Sequence, residues 1–306
     1  MTAAVTIAVC TLNRAAMLRT CLESLQRQSL GTDNYRIMVV DNGSTDATPA
    51  VVAEFAAGAP PAEYVREEMP GLSQARNRAL AACATPLIAF IDDDQLAPPD
   101  WLERLVAPFA TWTPRPFAVG GDNDPIWEEP RPDWLTDDLL PLYSCGASFT
   151  ASLRPLERDT EWIFEGNCVA DVAALRSLGG FPTFLGRSSA SLLSGEGFVF
   201  EIAWRRGLVV LFEPAARTWH RIPADRLTLE WVRQRAFWQG ITQARRDAAV
   251  ARMGLTLGPR GVRLPDSLAA WAGLHDMNET STDLSRKISL VYGLGIMCER
   301  MGVVPR

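Results

Sequence analysis

The sequence predicts an α/β fold, with a Rossmann-like, mostly parallel sheet flanked by helices and a C-terminal helical extension. Three observations carry this expectation. Short β-branched runs alternate with stretches of helical period through the N-terminal part of the chain. Polar clusters fall where those runs stop, which is where ligands gather on open parallel sheets. Beyond His220 the pattern becomes helical.

Taken in order, Val5 to Val9 (VTIAV) reads as a buried first strand. Arg14 to Gln28 reads as a helix, because Met17, Leu18, Cys21, Leu22 and Leu25 recur at helical spacing. Arg36 to Val40 (RIMVV) is the second strand, stopped by the turn-rich run Asp41 to Asp46. Thr48 to Ala57 follows as a helix, with Thr48 expected as its cap ahead of Pro49. Tyr64 to Arg66 is a third strand, Ser73 to Ala82 a helix, and Pro86 to Ile91 an apolar strand running into Asp92-Asp93-Asp94. Nine of the 21 prolines then lie between Pro98 and Pro141, beside Trp101, Trp112, Trp127 and Trp134. Regular structure is expected to be sparse there, and the segment is assigned to shaping a ligand cleft.

Farther on, Val172 to Ser177 reads as a helix closed by Gly179-Gly180, Glu201 to Arg206 as a helix and Leu208 to Phe212 as a strand. Leu227 to Arg246 sets Leu229, Val232, Ala236, Phe237 and Ile241 on one helical face, with arginines opposite. A boundary is placed there, giving a sheet-bearing domain at 1–222 and a helical extension at 223–306.

Composition narrows the function. The 306 residues are 47% hydrophobic and 22% charged with a net charge of -6, which excludes disordered and fibrous chains and disfavours nucleic acid as a partner. Lys287 is the single lysine, and neither GxxxxGK[ST] nor GxGxxG occurs, so a Walker-type phosphate loop and a dinucleotide fingerprint are absent. Six cysteines without a CxxC pair and two histidines leave little for a zinc site, and point to a reduced, cytoplasmic compartment. The first apolar stretch and Ile288 to Cys298, which two glycines interrupt, are too short to cross a bilayer. A soluble or peripherally attached protein is expected.

Several residues could carry chemistry, each beside a plainer reading. Asp92, Asp93 and Asp94 would repel one another beside an apolar strand unless a hard cation such as Mg2+ or Mn2+, or hydrogen-bond donors, compensate them. Otherwise they form a solvated acidic turn. Asp41 is either an Asx turn or an acceptor for a nucleobase or ribose donor. Arg76 and Arg78 open a helix whose N-terminus favours phosphate, or else lie on a solvated face. Asn13 and Arg14 are a helix cap or the floor of a ligand site. His220, next to Trp219, is a core residue or a metal ligand, and Gly166 with Asn167 is a turn or part of a site.

In combination, VCTLNR, VVDNGSTDAT, GLSQARNRAL and IAFIDDDQLAPPDWL resemble the successive nucleotide-binding motifs of family 2 glycosyltransferases, which have the GT-A fold. The likeness continues more loosely through FEGNCVADVAALRSLGGFP, LLSGEGFVFEIAWRRG and FEPAARTWHRIP. The resemblance implies inverting transfer of a sugar from a nucleotide-diphosphate donor, a UDP-sugar by default, to an acceptor hydroxyl. It also implies the roles. Thr11, Leu12, Asn13 and Arg14 would line the nucleotide site, Asp41 would contact the base, and Arg76 would sit beside the base or diphosphate. Asp92 and Asp93 would serve the nucleotide-sugar side, Asp92 near the ribose. Asp94, with His220, would hold Mg2+ or Mn2+, and Gly166 and Asn167 would face the acceptor. Many relatives use a Glu-Asp pair for the base, whereas Gly195-Glu196-Gly197 here leaves Glu196 as the candidate and Glu201 as its substitute.

A metal-dependent nucleotidyltransferase and a catalytically degenerate nucleotide-sugar-binding protein are the competing readings. The expected acceptor is a saccharide, a lipid-linked group or another hydroxyl compound. The basic, tryptophan-bearing helix around Trp231, Arg233, Arg235, Trp238, Arg245 and Arg246 offers either a peripheral contact with the inner face of a membrane or a helix packed on its own protein.

Overall fold

The structure is a computed structural model that describes residues 4–146, 149–157, 161–186, 192–193, 195, 197–255 and 281–303. Its strands are β1 (Val5–Thr11), β2 (Tyr35–Asp41), β3 (Ala62–Arg66), β4 (Leu87–Asp92), β5 (Gln95–Leu96), β6 (Ala118–Gly120), β7 (Asn123–Trp127), β8 (Arg154–Pro155), β9 (Asn167–Asp171), β10 (Val210–Phe212) and β11 (Thr218–Ile222). The helices are α1 (Ala15–Leu25), α2 (Thr48–Phe55), α3 (Leu72–Ala82), α4 (Trp101–Val106), α5 (Pro108–Thr111), α6 (Val172–Ser177), α7 (Phe198–Arg205), α8 (Leu229–Arg252) and α9 (Ser281–Met301).

Two compact units form. The first comprises residues 1–124, 147–184 and 196–220, and the second 125–146, 185–195 and 221–306. In the first, eight strands run in the order β3-β2-β1-β4-β9-β6-β10-β8. Strands β3, β2, β1 and β4 are parallel, while β9 lies antiparallel between β4 and β6. Every residue of β1 is buried, as befits a central parallel strand covered on both faces.

The period-two alternation of the strands divides the core into two layers. Val5, Ile7, Val9, Ile37, Val39, Ala89 and Ile91 face α1, α2 and α4, packing on Leu18, Leu22, Val51, Val52, Trp101 and Leu105. Ala8, Cys10, Met38, Val40, Ile88 and Phe90 face α3, α6 and α7, packing on Ala75, Ala79, Leu175, Val199 and Phe200. The six cysteines are free.

Sparse regular structure was expected between Pro98 and Pro141, and the structure corrects this. That stretch holds α4, α5, β6 and β7, with a 3-10 turn at Asp137–Tyr143. Pro108 is the first residue of α5, where a missing N–H costs nothing, while Pro125 lies within β7 and Pro141 within the 3-10 turn. Trp101 is fully buried.

The second unit has its own core, with Leu135, Leu139 and Tyr143 meeting Val232 and Ala236 of α8 and Leu284, Ile288 and Val291 of α9. Gly295 faces Phe237 and Ile241, and Glu299 pairs with Arg245, so α8 and α9 run in the same direction. Trp231 and Arg235 of α8 are engaged within this unit. Trp231 stacks on Tyr143 at 4.7 Å, and Arg235 donates to the carbonyls of Leu142 and Leu192. Among the described residues no helix is long and apolar enough to cross a membrane.

Candidate active site

Strand register brings the polar clusters to one edge of the sheet. Thr11 of β1 pairs with Asp41 of β2, Asp41 with Arg66 of β3, Cys10 with Asp92 of β4, and Ile91 of β4 with Asn167 at the start of β9. The loops leaving this edge are tied together. Asn13 sits at φ 54°, a left-handed conformation that asparagine tolerates. Its Oδ1 accepts from the Thr45 amide at 2.8 Å, and its own amide donates to Ser44 Oγ at 2.9 Å. Asp46 accepts from the amides of Ala15 and Thr48, both at 3.0 Å, and so satisfies the first turns of α1 and α2 together. Thr48, expected as a cap, instead lies inside α2 and donates its hydroxyl to Asp46 at 2.6 Å.

Asp41 is fully buried, its two oxygens accepting from the Ser44 amide and the Tyr64 hydroxyl, each at 2.7 Å. Arg66 Nη1 lies 3.9 Å from the same carboxylate. Leu12 is an exposed apolar side chain next to Thr11.

The three aspartates after β4 separate into distinct environments. Asp93 is buried and accepts from Thr11 Oγ1 at 2.7 Å and Arg14 Nη1 at 2.9 Å. Burial pushes its carboxyl up to about 6, against the opposing pull of the Arg14 charge. Asp94 accepts from the same Arg14 nitrogen at 2.9 Å, and its other oxygen lies 3.4 Å from His220 Nε2. His220 reaches this position because β11 pairs with β5 through His220 and Gln95.

Asp92 is held differently. Arg76 is only 3% exposed and bonds Asp92 Oδ1 at 3.0 Å and Glu165 Oε2 at 2.5 Å. The guanidinium also lies over the Phe181 ring at 5.8 Å. Gly166 lets the backbone approach Asp92, since a Cβ there would fall 2.3 Å from its Oδ2. Burial pushes the neighbouring Cys10 thiol up to about 12.

Sequence reasoning set Arg76 beside a base or diphosphate, whereas its described bonds go to two carboxylates of the protein. Asn167 is fully buried, accepting from Trp101 Nε1 at 2.8 Å and donating to the carbonyls of Asp122 and Ala216. Glu201 accepts from Arg205 Nε at 2.9 Å one turn along α7. Glu196 lies outside the described residues. Three members of the site went unread in the sequence: Glu165, Tyr64 and Asp46. The signal for Glu165 is a lone charge in the apolar run IFEGNCV; Tyr64 and Asp46 are singled out only by the register and loop contacts that reach them.

A metal must find donors among these residues. No group of three or more His, Cys, Asp and Glu is arranged as a metal cluster among the described residues. Asp94 and His220 nevertheless present an oxygen and an imidazole nitrogen 3.4 Å apart. Adjacent ligands on an octahedral ion with bonds of about 2.1 Å stand roughly 3.0 Å apart, so the pair fits a cation that takes its remaining ligands from phosphate and water.

Residues 6–144 match the sequence family described as glycosyl transferase family 2. The glucosyl-dolichyl phosphate glucuronosyltransferase of Haloferax volcanii is 24% identical over 243 residues, spanning 78% of this chain and 76% of that protein. The validoxylamine A glucosyltransferase of Streptomyces hygroscopicus subsp. jinggangensis is 33% identical over 116 residues, 37% of this chain. That match spans only 27% of the relative's length, and other matches likewise span about a third or less of theirs. Among solved structures, the mannosyltransferase PcManGT of Pyrobaculum calidifontis, in complex with GDP-Man and Mn2+, superposes with a TM-score of 0.61 at 21% identity, covering 100% of this chain and 77% of that one. The fold is GT-A, and the likeness to glycosyl transferase family 2 lies in residues 6–144.

Proposed function

We propose that the protein transfers a glycosyl group from a nucleotide-diphosphate donor to an acceptor hydroxyl, with inversion at the anomeric carbon. The observation that carries this reading is the convergence of Thr11, Asp41, Asp92 and the Asp94–His220 pair at one edge of a parallel sheet. Asp41 and Tyr64 serve the base and Asp92 the ribose. Uridine is the default nucleoside, although the PcManGT complex contains a guanosine donor.

Asp94 and His220 would hold Mg2+ or Mn2+, which PcManGT's Mn2+ complex supports. When bound, such an ion stabilises charge developing on the departing diphosphate. Arg14 adds a cation beside the same acids, and the closed Thr11–Asp93 contact keeps the acidic turn from opening into water. In the transfer, the acceptor oxygen forms a bond to the anomeric carbon while the bond from that carbon to the diphosphate oxygen breaks. The electron pair leaves with the diphosphate and the acceptor proton passes to a carboxylate. Glu196 is the proposed base, because Glu201 is already engaged by Arg205. Gly166 and Asn167 then border the acceptor side.

The test is release of nucleoside diphosphate from a panel of nucleotide sugars with candidate acceptors, for the wild type and Glu196→Gln. A drop of about 10^2- to 10^4-fold in turnover with unchanged nucleotide affinity is expected. A protein that binds nucleotide sugars and turns over none of them would be a binding member of the family, and the transfer reading would fall.

A further inference from the structure

We propose that Glu165 is a positioning residue for the nucleotide site, acting through Arg76 to fix the carboxylate of Asp92. This rests on the reading above that Asp92 meets the donor nucleotide.

The geometry forms a relay from core to edge. Glu165 is 1% exposed and Arg76 3%, whereas the Asp92 side chain is 30% exposed at the open edge. Arg76 bonds Glu165 through Nη1 and Asp92 through Nη2, so its fork spans the two acids. An arginine so buried cannot approach a phosphate without leaving both partners. Its charge is instead spent on aiming Asp92. The opposite side of Asp92 is closed by Gly166, where any Cβ would collide with the carboxylate. Consecutive residues of one segment therefore set Asp92 from two directions, Glu165 through its charge and Gly166 through its lack of a side chain.

With Glu165 neutral, Arg76 loses one of its two described anionic partners and draws the Asp92 carboxylate toward the core, away from the ribose. The loss should appear in nucleotide affinity and only where Asp92 is present. A structural role for Glu165 would instead lower stability and weaken binding equally in either background.

The experiment is a double-mutant cycle on the full chain. UDP, GDP, ADP and CDP are titrated with MnCl2 by calorimetry, and the tightest is carried through wild type, Glu165→Gln, Asp92→Ala and the double variant, with Tm measured alongside. Glu165→Gln should weaken binding about 10-fold in the wild type and have no further effect on Asp92→Ala. Arg76→Lys, which keeps the charge but loses the fork, should reproduce the loss, and it decides the matter if Glu165→Gln does not fold. If no nucleotide binds, or Asp92→Ala binds as wild type does, the functional reading fails and takes this inference with it. If Asp92→Ala weakens binding while Glu165→Gln and Arg76→Lys do not, or do so equally without Asp92, the relay alone is refuted.

Discussion

His220 Nε2 stands 3.4 Å from Asp94 Oδ1, although the two belong to distant stretches of the sequence. The turn after β4 carries Asp94 and β11 carries His220, joined by the short β5–β11 pairing. If they share a cation, His220→Ala should weaken Mn2+ dependence and Asp94→Asn should nearly abolish it. Turnover is expected to fall by at least about 10^2-fold in the aspartate variant. Titrating Mn2+ into each variant and recording nucleotide affinity checks the ordering; equal Mn2+ dependence in all three proteins would refute the pairing.

Arg14 neutralises two acids through one nitrogen. Burial disfavours its charged form, but attraction to Asp93 and Asp94 wins and raises its pKa. Arg14→Ala leaves those acids facing each other. Because the arginine side chain is 34% exposed, the cost should be roughly 2 kcal/mol, below the value for a fully buried pair. Added Mn2+ should recover part of the lost Tm, and a deficit unchanged by the ion would contradict a shared site.

Asp93 supplies a pH dependence with a defined sign. Its carboxyl is raised from 3.8 to about 6 in the folded chain, chiefly by burial. Between those values the folded state keeps a proton that the unfolded state releases, so this contribution to stability falls as pH rises from about 4 to about 6. Asp93→Asn, which still offers an acceptor to Thr11, should remove that fall. Thermal melts of both proteins across this range read it directly, and parallel curves would count against the buried assignment.

Much of this architecture is legible in the residues because β1 through β4 and α1 through α3 obey simple periodicities. Tyr64 to Arg66 is seen as a strand because its residues are β-formers, and Val172 to Ser177 ends where Gly179 and Gly180 adopt positive φ. The acidic turn and His220 were identified, but their pairing depends on β11, which local pattern does not place. The burial of Arg76 is not legible for a physical reason: an arginine at the start of a helix reads as solvent-facing until its carboxylate partners, remote in sequence, are known. Glu165 is hidden in the sequence for the same reason.

Asp46 joins two helix N-termini with one carboxylate. The hydroxyl of Thr48 and the two amides hold its pKa below the usual value, so its stabilising effect persists above the ordinary carboxylate range and is lost as pH falls through the folded pKa. Asp46→Ala should cost about 1 kcal/mol, as loss of a helix cap does. Chemical denaturation near neutral pH measures it, and an unchanged midpoint would argue against the shared cap.

Gly240 and Gly295 let α8 and α9 approach within the second unit. A Cβ at Gly240 would lie 1.9 Å from the Tyr292 carbonyl oxygen, and one at Gly295 would lie 2.0 Å from that of Phe237. Either Gly→Ala change should destabilise by about 1–3 kcal/mol despite the better helix propensity of alanine. A gain in Tm would show that the helices are free to move apart.

The central claim is tested most directly by calorimetric titration of a nucleoside diphosphate into the wild type and Asp94→Asn, with Mn2+ and again with a chelator. Tight binding by the wild type only when Mn2+ is present, and its loss in Asp94→Asn, is the expected result. Equally tight binding in chelator, or binding indifferent to Asp94, would contradict a cation held at this edge of the sheet for a diphosphate.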